Sequence, residues 1–349
     1  MYHTFITIAI PMLITFVFTF GAIWFLMPYM LGAGITAVDM NKRGKPVLPC
    51  GMGTALSFGM AIGLLSYTFG ASFGIYSPVA PLDDLFGAML SMLLITGVGF
   101  IDDINVRASA GKATGIVSTR IGLKQWQKPI LTLVGAIPLI AINAGISIIA
   151  IPFVGSVNFG IAYPLLIIPL AVVFAADAFN LLGGFNSIST ASGLVVSVGM
   201  LVYSIFFGTY IGALLSGVLT AAMVAFAFFD NYPAKIIPGD GYTYGVGAAI
   251  VIAAILGNME FFALVAFAPW LIEFLLHLKG GFDITDLGRR RSDGTFAAPY
   301  GKKVYSWTHL IMNAKHCKEW EVSAYMALIT LAFVLSAFAV RILIIPLAH

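Results

Sequence analysis

Five short polar segments carry the residue types that bind phosphate and hard metal ions. Asp39, Asn41 and Lys42 follow one apolar run, and the pair Asp102 and Asp103 ends another. Asp177, Asn180 and Asn186 bracket Gly183 and Gly184, Asn231-Tyr232-Pro233-Ala234-Lys235 leads into Gly239 and Asp240, and Arg289, Arg290 and Arg291 stand together in the longest polar stretch. Carboxylate and amide oxygens suit Mg²⁺, which takes one or two protein carboxylates beside waters and substrate phosphates. Lysine and arginine suit the phosphates themselves. Together they supply the materials of a Mg²⁺ and diphosphate site. Each segment also has an ordinary reading: a solvated cap for the aspartate pair, plain turns for Gly183-Gly184 and Gly239-Asp240, a lipid or topology anchor for the arginines, and a snorkelling helix end for Lys128. Those readings weaken together, because all five segments would have to face one compartment by chance.

The elements that must hold these residues are apolar. Hydrophobic residues make up 60% of the chain and charged residues 9%, against roughly 25% charged in soluble domains, and the mean hydropathy is +0.99. Apolar runs at 6–30, 52–69, 85–101, 129–150, 161–176, 187–207, 210–229, 243–256, 261–278 and 323–345 predict an all-α fold, a polytopic membrane helix bundle of about ten transmembrane helices. All lysines and arginines except Arg341 fall in connections that follow odd-numbered runs, so that side is expected to be cytoplasmic, with both chain ends outside. The first run has no basic leader and is too long for a signal-peptide core, which predicts a retained helix. Cys50 and Cys317 are the only cysteines; in cytoplasmic loops they are expected to be free thiols.

The chain 1–349 reads as one membrane domain with a long cytoplasmic loop at 279–320, rich in glycine, aromatic and basic residues. Such a loop suits a substrate cover, the alternative being a disordered segment. The net charge of +3 belongs to membrane orientation and implies no nucleic-acid partner. Polar groups gather at one face of the bundle instead of at mid-membrane depth, which favours an interfacial enzyme over a transporter. A transporter would have to use Glu273 and His277, four residues apart.

In order and spacing the segments resemble the polyprenyl-phosphate N-acetylhexosamine-1-phosphate transferases, most closely their dolichyl branch, over residues 38–291. The family's aspartate pair matches Asp102 and Asp103, and its following lysine matches Lys128. Its Asn-Ala-x-Asn-x-x-x-Gly-x-Asn/Asp segment matches 177–186, which implies Asn180 as a metal ligand and Asn186 as a uracil contact. Its Trp-Tyr-Pro-x-Arg-x-x-x-Gly-Asp stretch matches 231–240, which implies Asp240 as the second metal ligand. Its Arg-His-Arg segment matches Arg289, Arg290 and Arg291, which implies a grip on diphosphate and sugar; Asp39, Asn41 and Lys42 join these as substrate-binding residues. Bacterial relatives carry Asp-Gly-x-Asp where this chain has Gly183-Gly184-Phe185-Asn186, and the peptidoglycan-precursor enzymes carry histidines where it has arginines. Asp177, Arg290 and Cys50 depart from the dolichyl pattern, which has asparagine, histidine and, in eukaryotes, glutamate there.

The resemblance implies transfer of N-acetylglucosamine 1-phosphate from UDP-N-acetylglucosamine to dolichyl or another polyprenyl phosphate, releasing UMP. That is the first step of lipid-linked oligosaccharide synthesis, in a prokaryotic plasma membrane or in the endoplasmic reticulum. It implies Mg²⁺ as cofactor, Mn²⁺ as a substitute, membrane lipid as surroundings and a homodimer as the assembly. The alternative is a bacterial-type sugar-1-phosphate transferase for envelope glycans. Asp102, Asp103 and Lys128 are the expected catalytic residues. A phosphate monoester has a second pKa of about 6, so proton removal from the acceptor gains little. One aspartate is therefore expected to position the acceptor or organise the metal, sharing its proton with the other if the two are close. An aspartyl-phosphate intermediate stays open on sequence grounds.

Overall fold

The computed structural model describes residues 2–343 except 77, 105, 112–114, 121, 152–153 and 208, with side chains outside 2–5 and 106–120. Lys112, the side chains of Arg107 and Arg120, and the last apolar run beyond 343 lie outside the described residues.

The apolar runs fold into helices α1 (Tyr2–Gly32), α2 (Gly53–Ser72), α3 (Leu82–Ile104), α4 (Gln127–Thr132), α5 (Ile137–Ala141), α6 (Ile168–Leu181), α7 (Ile188–Phe207), α8 (Tyr210–Asp230), α9 (Asp240–Leu256), α10 (Glu260–Ala266), α11 (Ala268–Lys279), α12 (Trp307–Ala314) and α13 (Glu319–Leu343). Six of them are long and apolar enough to cross a bilayer, α6 makes a seventh span together with the π-helical turn Tyr163–Ile167 that leads into it, and α10 with α11, bent by 53°, makes an eighth if the pair counts as one span. This is an integral membrane protein. In α1 and α13 only 28% and 22% of the most apolar window is buried, against 78% in α8. The first two therefore line the lipid-facing rim, and α8 belongs to the interior.

Two of the ten expected runs fall outside that count. The run 129–150 does not continue as one helix: α4 passes through a tight 3-10 turn at Leu133–Ala136 into α5, and Asn143 and Gly145 then take positive φ. Its end forms a strand, Ile148–Ile151, paired antiparallel with Gly155–Asn158. The run 243–256 is helical, and α9 with its 17 residues stands at the short end of what spans a hydrocarbon core. It need not reach across, because every residue of α9 except Val251 is buried. Its neighbours are α2, α3, α6 and α8. Gly53 of α2 and Gly99 of α3 make room for its first turn: a Cβ at Gly53 would lie 2.1 Å from the Gly241 carbonyl carbon, and one at Gly99 2.5 Å from the Asp240 oxygen. Small residues of this kind let membrane helices approach backbone to backbone.

The break between α10 and α11 has a local cause. Pro269 opens α11 and cannot donate the amide hydrogen that would continue the helix before it. Phe267 and Trp270 stack there with centroids 4.7 Å apart, and Phe179 covers Trp270 at 4.9 Å. The purely helical expectation needs a smaller correction: among the described residues there are four two-stranded hairpins. The first, Thr36–Val38 with Val47–Pro49, presents Asp39 to Lys42 at its turn. Another, Arg289–Arg290 with Phe296–Ala297, carries two of the three arginines. The segment 279–320 is folded, with this hairpin and α12 inside it.

Candidate active site

The helix ends that carry the polar segments meet around a cavity of about 630 Å³, a size suited to a ligand of several hundred daltons. Asp39, Asn180, Gly183, Gly184, Asn186, Asp230, Asp240, Thr243 and Asp286 are part of its wall. Four of the five sequence segments contribute, either to this wall or to the groups directly behind it.

At one side of the cavity α6 and α9 bring together the two residues expected to hold a metal. Asn180 Oδ1 accepts a hydrogen bond from Thr243 Oγ1 at 2.8 Å, which orients the amide. Asp240 Oδ2 lies 2.8 Å from Lys128 Nζ, and the same ammonium is 2.9 Å from Asp102 Oδ2. Asp102 is held in turn by the backbone N–H of Leu123. Asp177 is fixed by Thr132 Oγ1 at 3.1 Å. One lysine thus serves two carboxylates, with a third close by.

Asp103 has a different position from its neighbour. Its side chain is buried, and its two oxygens accept the backbone N–H groups of Asp240, at 2.7 Å, and Gly241, at 2.9 Å. These amides open α9, where helices leave donors unsatisfied and favour negative charge. Asp103 therefore caps α9 from another helix and sets the position of Asp240. Cys50 Sγ lies 3.9 Å from Asp103 Oδ1; Cys50 and Cys317 are both buried.

On the other side of the cavity Asn186 is braced on three sides. Its Oδ1 accepts from Lys42 Nζ at 2.6 Å and from the Ala234 N–H at 3.3 Å, while its Nδ2 donates to Asp39 Oδ2 at 3.2 Å. Lys42 also pairs with Glu319 at 2.5 Å and lies 4.4 Å from the centre of the Tyr232 ring, a cation-π distance. The Asn41 amide donates to the Gly184 carbonyl. With two acceptor sites and one donor hydrogen used, the Asn186 amide keeps one N–H for a ligand.

The arginines do not join this wall. Arg289 and Arg290 are exposed; Arg290 Nη1 donates to the Asn41 carbonyl at 3.2 Å, and Arg291 meets His316. Arg290 instead borders an adjoining cavity of about 330 Å³ with Tyr232, Phe296 and Glu319. Sequence reasoning passed over three acidic residues near the site. Glu319 starts α13 among surface-like charges, yet it is buried and accepts the Asn186 N–H at 3.3 Å. Asp230 is buried at the end of α8, accepting from Thr190 Oγ1 at 2.6 Å. Asp286 sits in the long loop. The only sequence signal for the latter two was their place on the polar face.

The electrostatics of the wall decide what it can bind. Asp39, Asp230, Asp240 and Asp286 line the cavity, and no lysine or arginine does so among the described residues. Lys42, 3.4 Å from Asp39, and Lys128, 2.8 Å from Asp240, offset part of that charge from behind the wall, and a divalent cation is the ordinary way to reverse what remains of the local potential. Asn180 and Asp240 fit Mg²⁺ in chemistry, being hard oxygen donors on the same wall.

A protein-family model described as glycosyl transferase family 4 matches residues 85–258, which include Asp102, Asp103, Lys128, Asn180, Asn186 and Asp240. A protein of Saccharolobus solfataricus is 30% identical over 320 residues, 91% of this chain and 91% of its own length, and carries the provisional name UDP-N-acetylglucosamine–dolichyl-phosphate N-acetylglucosaminephosphotransferase. The Dictyostelium discoideum protein of the same name, without that qualifier, is 22% identical over 297 residues, 74% of this chain and 68% of its own. A phospho-N-acetylmuramoyl-pentapeptide-transferase of Clostridium botulinum is 30% identical over 202 residues, 56% of this chain and 58% of its own.

Proposed function

We propose that this chain, which belongs to glycosyl transferase family 4, transfers N-acetylglucosamine 1-phosphate from UDP-N-acetylglucosamine to dolichyl or another polyprenyl phosphate on the cytoplasmic side of a membrane. The observation that carries this reading is an acidic cavity holding Asn180, Asn186 and Asp240 together at the end of an apolar bundle. Relatives that cover most of the chain bear the same activity in their names.

In the reaction an oxygen of the lipid phosphate attacks the β-phosphorus of the nucleotide sugar. The bond from that phosphorus to the bridging oxygen breaks, and UMP leaves with the oxygen and its electron pair. Asn180 and Asp240 would hold Mg²⁺, which supplies charge neutralisation and orientation for the diphosphate when bound. Asn186 offers its remaining N–H to a carbonyl of the base, and Asp39 and Lys42 keep that amide from rotating. Lys128 lies between Asp102 and Asp240, where it counters phosphate charge that builds in the transition state. Asp102 holds the ammonium in that place. The acceptor phosphate is largely a dianion at neutral pH, since its second pKa is about 6, so no strong base is required. Asp103 acts through the position of α9.

The test is UMP release by the purified protein given UDP-N-acetylglucosamine, dolichyl phosphate and Mg²⁺. Release is expected to stop with EDTA and to fall at least 100-fold in Asp240→Ala, the scale of losing an electrostatic stabiliser. Undiminished release under either condition overturns the assignment. Competition among UDP-sugars separates this reading from transfer of a muramoyl-peptide phosphate.

A further inference from the structure

One group of side chains beside the cavity has ligand chemistry that the transfer reaction does not use. Glu273 and His277 are four residues apart on α11, so both project from one face, and Asp286 reaches them from the segment after the helix. His277 Nε2 lies 3.1 Å from Glu273 Oε1 and 3.2 Å from Asp286 Oδ1, and the three ligand atoms lie within 4.8 Å of one another. Glu273 is 0% exposed and His277 7%.

Proton counting shows what is unusual here. An imidazole nitrogen carries at most one hydrogen, and this one faces two carboxylates. Glu273 is already served by other donors: Oε1 accepts from Ser306 Oγ at 2.6 Å and Oε2 from the Trp307 N–H at 2.8 Å. A hydrogen-bonded relay therefore leaves one of the two close approaches to Nε2 poorly supplied with hydrogen, in buried surroundings where such a shortage is costly. A metal ion between the three atoms removes the shortage. Tetrahedral ligation with bonds near 2.0 Å places neighbouring ligand atoms roughly 3.3 Å apart, close to the two separations measured from His277 Nε2.

We propose that Glu273, His277 and Asp286 bind a divalent first-row transition metal, Zn²⁺ above all, at a site separate from the Mg²⁺ position proposed at Asn180 and Asp240. A nitrogen ligand among carboxylates selects such a metal over Mg²⁺. Two ligands come from α11 and one from the loop, so the ion fastens 280–306 to the membrane helix. It also fixes one side of the substrate cavity, because Asp286 lines that cavity and packs against the glycine turn: a Cβ at Gly184 would lie 3.1 Å from the Asp286 backbone. Ser306 and Trp307, which lean on Glu273, start α12, so the same carboxylate anchors both ends of the segment.

The experiment uses full-length protein with its affinity tag removed, stripped of metal and titrated with ZnCl₂ against a chromogenic chelator. Wild type is expected to take up about one equivalent, with binding weakened more than tenfold in both His277→Ala and Asp286→Asn, ligand loss exceeding the 10–100-fold range of outer-shell changes at its lower end. Asp240→Ala is expected to keep the zinc. Zinc should also slow proteolysis of 280–306 in wild type and not in Asp286→Asn, a loop substitution that preserves the test if His277→Ala fails to fold. Uptake by wild type no greater than by Asp286→Asn, or protease sensitivity that ignores zinc, overturns the proposal. Neither readout depends on transferase activity.

Discussion

Replacing Asp103 by asparagine separates two jobs an aspartate can have at this place, capping a helix or handling a proton. The carboxylate accepts two backbone N–H groups at the start of α9, at 2.7 and 2.9 Å, from a buried position. Asparagine keeps one acceptor oxygen and turns an NH₂ toward the other amide, so one bond is lost. A hydrogen bond to a charged group is worth about 1.5–3 kcal/mol. At 1.4 kcal/mol per factor of ten, the amides of Asp240 and Gly241 should exchange roughly 10- to 100-fold faster in Asp103→Asn. Hydrogen–deuterium exchange with mass spectrometry of peptides covering 238–244 reads this directly in detergent or nanodiscs. Transfer should fall alongside, because Asp240 sits on the loosened turn. If exchange at 240–241 is unchanged while turnover drops more than a thousandfold, Asp103 acts in the chemistry and the capping argument fails.

Two further outcomes follow from the geometry around the cavity. Glu319→Gln weakens the hold on Lys42 and on the Asn186 backbone, so KM for the nucleotide sugar should rise roughly tenfold with kcat little changed, the pattern of lost ground-state binding; steady-state kinetics with saturating acceptor check it, and a fall confined to kcat would refute it. Burial holds the His309 pKa below its ordinary 6.5, with Nδ1 accepting from the Tyr305 N–H at 3.2 Å and Nε2 placed 2.9 Å from the Thr285 carbonyl. The neutral ring is favoured in the folded segment, so its contribution is complete above pH 6.5 and is lost as pH falls from there through the lowered folded value. Limited proteolysis of 280–306 should accelerate over that range in wild type and lose its pH dependence in His309→Gln.

Much of the cavity was legible in the sequence because polar residues in an apolar chain have few places to go. Asp39, Asn180, Asn186 and Asp240 all stood at ends of apolar runs on one face, and all four line one cavity. What spacing cannot express is the division of labour between neighbours. Asp102 and Asp103 are adjacent, yet on a helix successive side chains point about 100° apart, so one meets Lys128 and the other the start of α9. Glu319 was missed because a glutamate among Lys318, Trp320 and Glu321 looks solvated until α13 is packed against the Asn186 turn. The arginines share the basic end of the molecule without sharing the cavity, since their hairpin reaches Asn41 and His316 instead. The run 129–150 was apolar enough to suggest a span, and hydropathy alone does not register the turn at Asn143 and Gly145.

The shortness of α9 bears on how the protein is made. At 17 residues and ~1.5 Å per residue, it falls several ångströms short of a ~30 Å hydrocarbon layer. It also begins with a carboxylate that lipid would not tolerate. Such a segment is a poor candidate for independent insertion and gains its shelter from helices made before it, α2, α3, α6 and α8. Those earlier helices bring Gly53 and Gly99 to receive its first turn and Asp103 to hold it. Catalytic competence thus arrives late in biogenesis, so a nascent chain halted before residue 240 would hold Asn180 and Asn186 without the Asp240 carboxylate that shares their cavity.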